Sequence, residues 1–186
     1  MKSAQPRSRC VNSAMTLPAA AKGRSALDFD ALYRAARDDV FAYVATLLGD
    51  RSAAEDVTAL AFERAFRKRR SYDSRRGSER AWLFGIARNA ALDELRRRKR
   101  VAELAADPAD VDALAPEDHA EAALRRAAVR VALARLAPRE REIVSLKFHA
   151  GLDNSEIAAV LGVSVSNAGT QLHRAMTKLR EAVEHA

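Results

Sequence analysis

Apolar residues recur along most of this chain at the three-and-four spacing that gathers them on one side of an α-helix. Phe29, Leu32, Tyr33, Ala36, Val40, Tyr43, Val44 and Leu47 form the first stripe, with Asp28 ahead of it as an N-cap and Gly49 behind it as a stop. A second stripe, Val57, Leu60, Ala61, Phe62, Ala65 and Phe66, begins near Ser52 and breaks up in the polar stretch RRSYDSRRGS. Ser78 then offers a cap for a third helix. At about 100° per residue, Trp82, Leu83, Phe84, Ile86, Ala87, Ala90, Ala91 and Leu95 sweep one broad side, which predicts a buried face. Arg88, Asn89, Asp93 and Arg96 share the remaining wedge with Gly85 and Leu92, and this wedge is predicted to face outward.

Residues 101–120, VAELAADPADVDALAPEDHA, contain Pro108 and Pro116 and no basic side chain, the composition of a linker. Helical periodicity resumes with Ala122, Val129, Leu133 and Leu136. Pro138 stands where the next helix would start, Ile143, Val144, Leu146 and Phe148 lie inside it, and Gly151 closes it. The following stretch, DNSEIAAVLGVSVSNAGTQLHRAMTKLREAV, is the most informative. Asp153 and Glu156 have capping-box spacing, Ile157, Ala158, Val160 and Leu161 make a short apolar helix, and Gly162 provides a turn. Ser164 caps a longer helix whose inner stripe is Ala168, Leu172, Ala175, Met176, Leu179 and Val183. A short helix, a glycine turn and a longer helix form a helix-turn-helix, whose second helix enters the major groove of DNA. Its outward residues are Ser166, Asn167, Thr170, Gln171, His173, Arg174 and Lys178. Asn and Gln suit an adenine edge, and Arg suits guanine or phosphate. A helical hairpin packed on another protein would show the same pattern.

Composition agrees with helix throughout: 48% apolar residues, 5% aromatics, seven glycines and five prolines in 186 residues predict an all-α protein. Charge adds a division into modules. The net +7 conceals fourteen basic against four acidic residues over 64–100, none against seven over 101–124, and ten against six over 125–186. Two basic blocks flanking an acidic tether suggest two separately folded bodies that meet a polyanion at different places. A solvated helix end is the plainer account of Arg96 to Arg100 taken alone.

Residues 1–26 carry five basic and no acidic side chains, lack periodicity and are rich in Ser, Ala and Pro, so a disordered tail is expected, with Met15 as an alternative start. The single cysteine, Cys10, has no internal disulfide partner, and four scattered histidines give no metal-ligand spacing, so neither a metal nor a cofactor is expected. No apolar run approaches the length of a membrane span. The phosphate-loop, GxSxG and HExxH signatures are absent, which argues against an enzyme, and Asp93-Glu94 between basic neighbours reads as a source of local ion pairs.

Three stretches carry a family likeness: FDALYRAARDDVFAYVATLLGDRSAAEDVTALAFERAFR, RGSERAWLFGIARNAALDELRRRKR, and LAPREREIVSLKFHAGLDNSEIAAVLGVSVSNAGTQLHRAMTKLRE. In this order they resemble the bacterial extracytoplasmic-function sigma factors, the smallest members of the sigma-70 family, over about residues 27–184. The resemblance implies region two at 27–100, an acidic linker at 101–120 and region four at 121–186. It implies core RNA polymerase as partner, through the clamp helices of its beta-prime subunit, promoter DNA both duplex and single-stranded, and an anti-sigma protein. No small-molecule substrate, no membrane insertion and a cytoplasmic location go with it.

Carried over position by position, the likeness makes Asp56, Thr58 and Glu63 the polymerase contacts. Arg75, Arg76, Ser78, Arg80, Arg88, Asn89 and Arg96 would meet the downstream promoter element, where a base of the non-template strand is flipped out. Ser164, Ser166, Asn167, Thr170, Gln171, His173 and Arg174 would meet the upstream element. The chain departs from the family pattern at Ala59 and Leu60, where Gln and an acidic residue are usual, and at Gly85, Gly169 and Gln171, where basic or polar residues are common. A stand-alone helix-turn-helix regulator, using only residues 138–184 on DNA, is the alternative reading.

Overall fold

The structure, a computed structural model, describes residues 27–104 and 131–184. The expected tail with Cys10 and Met15, most of the expected linker, and Ala122 and Val129 lie outside the described residues. Those described form helices and turns without a strand.

The first helix, α1 (Phe29–Leu48), starts where Asp28 accepts a hydrogen bond from the Ala31 N–H at 3.0 Å and stops at Gly49, whose φ of 67° suits a residue without a Cβ. Asp50 caps α2 (Arg51–Lys68) in the same way, accepting from the Ala53 N–H at 3.1 Å. The two helices therefore fold back as a hairpin. Two short 3-10 turns, Arg69–Ser71 and Ser74–Arg76, lead to α3 (Glu79–Leu104), where the Ser78 hydroxyl accepts from the Ala81 N–H at 3.1 Å. This helix continues four residues into the segment expected to be linker, because nothing from Val101 to Leu104 breaks it. Small residues at Ala36, Ala54, Ala61, Ala65, Ala87 and Ala91, all fully buried, let the three helices approach closely. Tyr43 and Phe84 meet edge to face at 5.4 Å in their midst. Each such large side chain contributes about 1.5–3 kcal/mol on burial.

Helical residues 131–135 precede α4 (Pro138–Phe148), which has Pro138 at its first position. The capping box is present at α5 (Asn154–Leu161): Asp153 accepts from the Glu156 N–H at 2.9 Å and its own N–H donates to Glu156 at 3.0 Å. Gly162, at φ 69°, turns the chain into α6 (Val165–Glu184), capped by Ser164.

The two helical sets do not stand apart. Buried residues of α1, α2 and α3 and those of α4, α5 and α6 belong to one continuous core, with α4 against α1 and α5 against α3. The outward wedge of α3 is thus corrected in part: Arg88 turns into the contact between the two sets instead of into solvent. Positive faces remain exposed nonetheless, at Arg75, Arg96 and Lys99 among others.

Candidate nucleic-acid and protein interfaces

The polar stretch between α2 and α3 is held by Tyr72, which is buried and donates its hydroxyl to the Gly77 carbonyl at 3.0 Å. Its ring lies 5.6 Å from that of Trp82. Trp82, expected in the core, is only half-buried and lines an open cleft. Together they border a cleft of 610 Å³ lined by Ser71, Asp73, Arg76, Gly77, Ala81, Gly85, Ile86 and Asn89, with Ala159 and Val160 of α5 on the opposite side. A Cβ at Gly85 would meet nothing within 4 Å, so the glycine widens the cleft without being required by packing. Aromatic faces, an arginine and a carboxamide around one cavity suit a planar heterocycle: the rings stack, and the amide reads an edge.

The predicted downstream-element residues fall into two groups. Arg75, Arg76, Asn89 and Arg96 are exposed. Arg75, with 81% of its side chain open to solvent, forms a fork to Asp73 at 2.9 and 2.8 Å, and that carboxylate holds its guanidinium above its usual pKa. Arg96 pairs with Asp93 at 3.2 Å, which also receives Arg64 at 3.0 Å. Ser78, Arg80 and Arg88 instead reach across to the second helical set. Arg88 Nε donates to Glu142 Oε1 at 2.7 Å, and the Tyr43 hydroxyl donates to the same oxygen at 3.4 Å. Burial first, then the Glu142 charge, push the Tyr43 phenol well above its ordinary pKa, so it stays a donor. Arg80 donates to the backbone carbonyls of His149, at 2.9 Å, and Ala150, and also pairs with Asp39. Ser78 donates to Glu156.

The three expected polymerase residues do not share a face of α2. Asp56 and Glu63 are exposed, and Glu63 pairs with Arg67 at 2.6 Å. Thr58 lies about 200° around the helix from Asp56, is buried against α1, and its hydroxyl has no hydrogen-bond partner. It lines a 620 Å³ groove between α1 and α2 with Tyr33, Phe41, Glu55, Ala59 and Phe62. Thr58 is thus a buried residue of the groove wall. Ala59 belongs to the same groove.

On α6, Ser164, Ser166, Asn167, Thr170, His173 and Arg174 are exposed as expected. Thr170 donates back to the Ser166 carbonyl at 3.0 Å. Gln171 is partly covered: its Oε1 accepts from Arg139 Nε at 3.1 Å and its amide donates to Asn167 at 2.7 Å. Arg139 is thereby held beside the exposed side of α6. It went unnoticed in the sequence because it lies 32 residues away. Glu142 was also missed, although a carboxylate one turn before Leu146 on an apolar stripe is a legible signal.

Among the described residues no group of His, Cys, Asp or Glu is placed to hold a metal, and no helix is long and apolar enough to cross a membrane. Two family models match: Sigma-70 region 2 over residues 32–101, and Sigma-70, region 4 over residues 126–179. The chain is 32% identical to the ECF RNA polymerase sigma factor SigL of Mycobacterium tuberculosis, over 81% of this chain and 88% of that one. It is also 32% identical to BldN of Streptomyces coelicolor, over 89% of this chain and 64% of that one. The fold is similar to the sigma factor RpoE of Bartonella quintana, solved with the anti-sigma factor NepR, at a TM-score of 0.75, 24% identity, 84% of this chain and 97% of that one. A cleft edged by aromatics and an arginine, a helix-turn-helix on the same polypeptide, and these matches in the same order along the chain place it among the extracytoplasmic-function RNA polymerase sigma factors of the sigma-70 family.

Proposed function

We propose that this chain selects promoters for core RNA polymerase through two anchors. Helix α6 reads duplex DNA at the upstream element with Ser166, Asn167, Thr170, His173 and Arg174, helped by Ser164 at its cap and by the Gln171–Arg139 pair. Residues 27–100 grip the polymerase clamp helices through the exposed side of α2 and hold the opened non-template strand in the Trp82–Asn89 cleft. Every role is one of binding, exercised in the cytoplasm where polymerase and promoters meet, and no bond is made or cut.

The observation that carries this reading is the cleft itself, which joins an arginine, an exposed carboxamide and two aromatic rings. A flipped base costs a few kcal/mol of stacking, and these groups offset that cost without discriminating duplex sequence. Asn89→Ala should impair promoter opening, read by permanganate reactivity of unpaired thymines, while leaving capture by core polymerase intact. Equal loss of both would overturn the division of labour. A stand-alone regulator would bind its DNA tightly without core polymerase and would not set transcription start sites, so a reconstituted initiation assay separates the two readings. Anti-sigma proteins hold the solved relatives RpoE of Bartonella quintana and CnrH, and a protein of that kind is the expected regulator here.

A further inference from the structure

The carboxamides on the exposed side of α6 are not free to turn. Gln171 Oε1 accepts from Arg139 Nε at 3.1 Å, and Gln171 Nε2 donates to Asn167 Oδ1 at 2.7 Å. A carboxamide by itself has no preferred sense, but a guanidinium carries donors only. Arg139 therefore requires the oxygen of Gln171, which sends the Gln171 nitrogen toward Asn167 and so requires the Asn167 oxygen in turn. This order starts on α4 and ends at Asn167 Nδ2, which has no partner among the described residues. Arg139 and Asn167 are exposed, and Gln171 between them is partly covered. A second bridge holds the same two helices together. Lys178, two turns beyond Gln171, pairs with Glu140, the neighbour of Arg139.

A carboxamide reads adenine by accepting from N6 and donating to N7 at the same time. The Asn167 oxygen is drawn along the helix toward Gln171, so the group left for a base is a donor. Guanine presents two acceptors in the major groove, N7 and O6, whereas the N6 amino group of adenine would face a second donor. We propose that Gln171, oriented by Arg139, is a positioning residue that makes Asn167 read guanine instead of adenine. This assignment rests on the reading of α6 as the helix at the upstream element, and it adds the base that Asn167 takes there.

The full chain assembled with core polymerase is offered a promoter library randomised across the upstream element, and the bound DNA is sequenced. Asn167→Ala marks the base pair that Asn167 reads, because preference disappears there and persists elsewhere. At that pair the wild type should favour guanine over adenine about tenfold. In Gln171→Glu both side-chain oxygens accept, so Arg139 keeps its partner while Asn167 has to reverse and present its oxygen. The preference should invert to adenine. Arg139→Ala should release the order and bring the ratio toward unity, and Arg139→Lys, which also only donates, should restore it. Each readout is a ratio within one sample, so a general loss of stability or affinity does not imitate it. A wild type that favours adenine at this pair, or a ratio unmoved by Gln171→Glu, overturns the relay. A profile changed by Arg174→Ala but not by Asn167→Ala also overturns it and leaves the reading of α6 standing. A profile unchanged by both substitutions overturns that reading itself.

Discussion

Thr58 carries a hydroxyl that is buried against α1 and finds no partner. A buried hydroxyl without a hydrogen bond costs about 1–3 kcal/mol relative to one that is satisfied, and replacing it by a methyl of the same shape removes that cost. Thr58→Val should therefore raise the stability of the isolated chain by about 1 kcal/mol, measured by urea unfolding. Its effect on core-polymerase affinity tells whether the hydroxyl gains a partner in the complex: a stabilised chain that binds more weakly would mean that the groove wall is used there. Glu142 shows the opposite arrangement, a buried charge whose Oε1 receives two donors.

At the scale of elements, α3 is pinned at both ends. Ser78 caps its start, and near its end Arg98 bridges Glu94, at 2.9 Å, and Asp50, at 2.7 Å, the residue that caps α2. The hydrogen bond from Arg97, with further help from Arg98, lowers the Glu94 pKa from 4.5 to about 2. A carboxylate with a depressed folded pKa contributes stability that is present above its unfolded pKa and lost as the pH falls through the folded value. The advantage of the wild type over Glu94→Gln should thus be complete above pH 4.5 and fade as the pH drops toward about 2, as followed by thermal unfolding across that range. A difference that stayed constant with pH would show that Glu94 acts by packing alone. The basic run from Arg96 to Arg100 is in this light two things at once. Arg98 serves the helix junction by reaching Asp50, while Arg97 pairs within α3 and Lys99 and Arg100 stay exposed.

At the scale of the molecule, the proposed reading of duplex DNA by α6 makes affinity depend on how many phosphates that helix neutralises. Gly169 stands on that helix, and a Cβ there would meet only Asn154 Nδ2, at an ordinary 3.5 Å. Gly169→Lys in the complex with core polymerase should steepen the dependence of log K on log salt by about 0.9 per added phosphate contact. An unchanged slope in filter binding to upstream-element duplex would place that side of α6 away from the DNA backbone.

The helices, their caps and their stops were legible in the sequence because each depends on residues within a few positions of one another. Asp28, Asp50, Ser78, Asp153 and Ser164 accept backbone bonds two or three residues ahead, and Gly49 and Gly162 take left-handed φ values at helix ends. The buried stripes and the exposed face of α6 followed from periodicity for the same reason. What only the tertiary structure decided is where each polar side chain spends its charge. Arg88 and Arg96 share a wedge on the wheel, yet one faces Glu142 in a half-buried contact and the other faces solvent. Thr58 and Asp56 are two residues apart yet lie on different sides of α2. Local propensity acts over one or two turns of chain, whereas the choice of partner for an arginine 54 residues from its carboxylate is made by how helices pack.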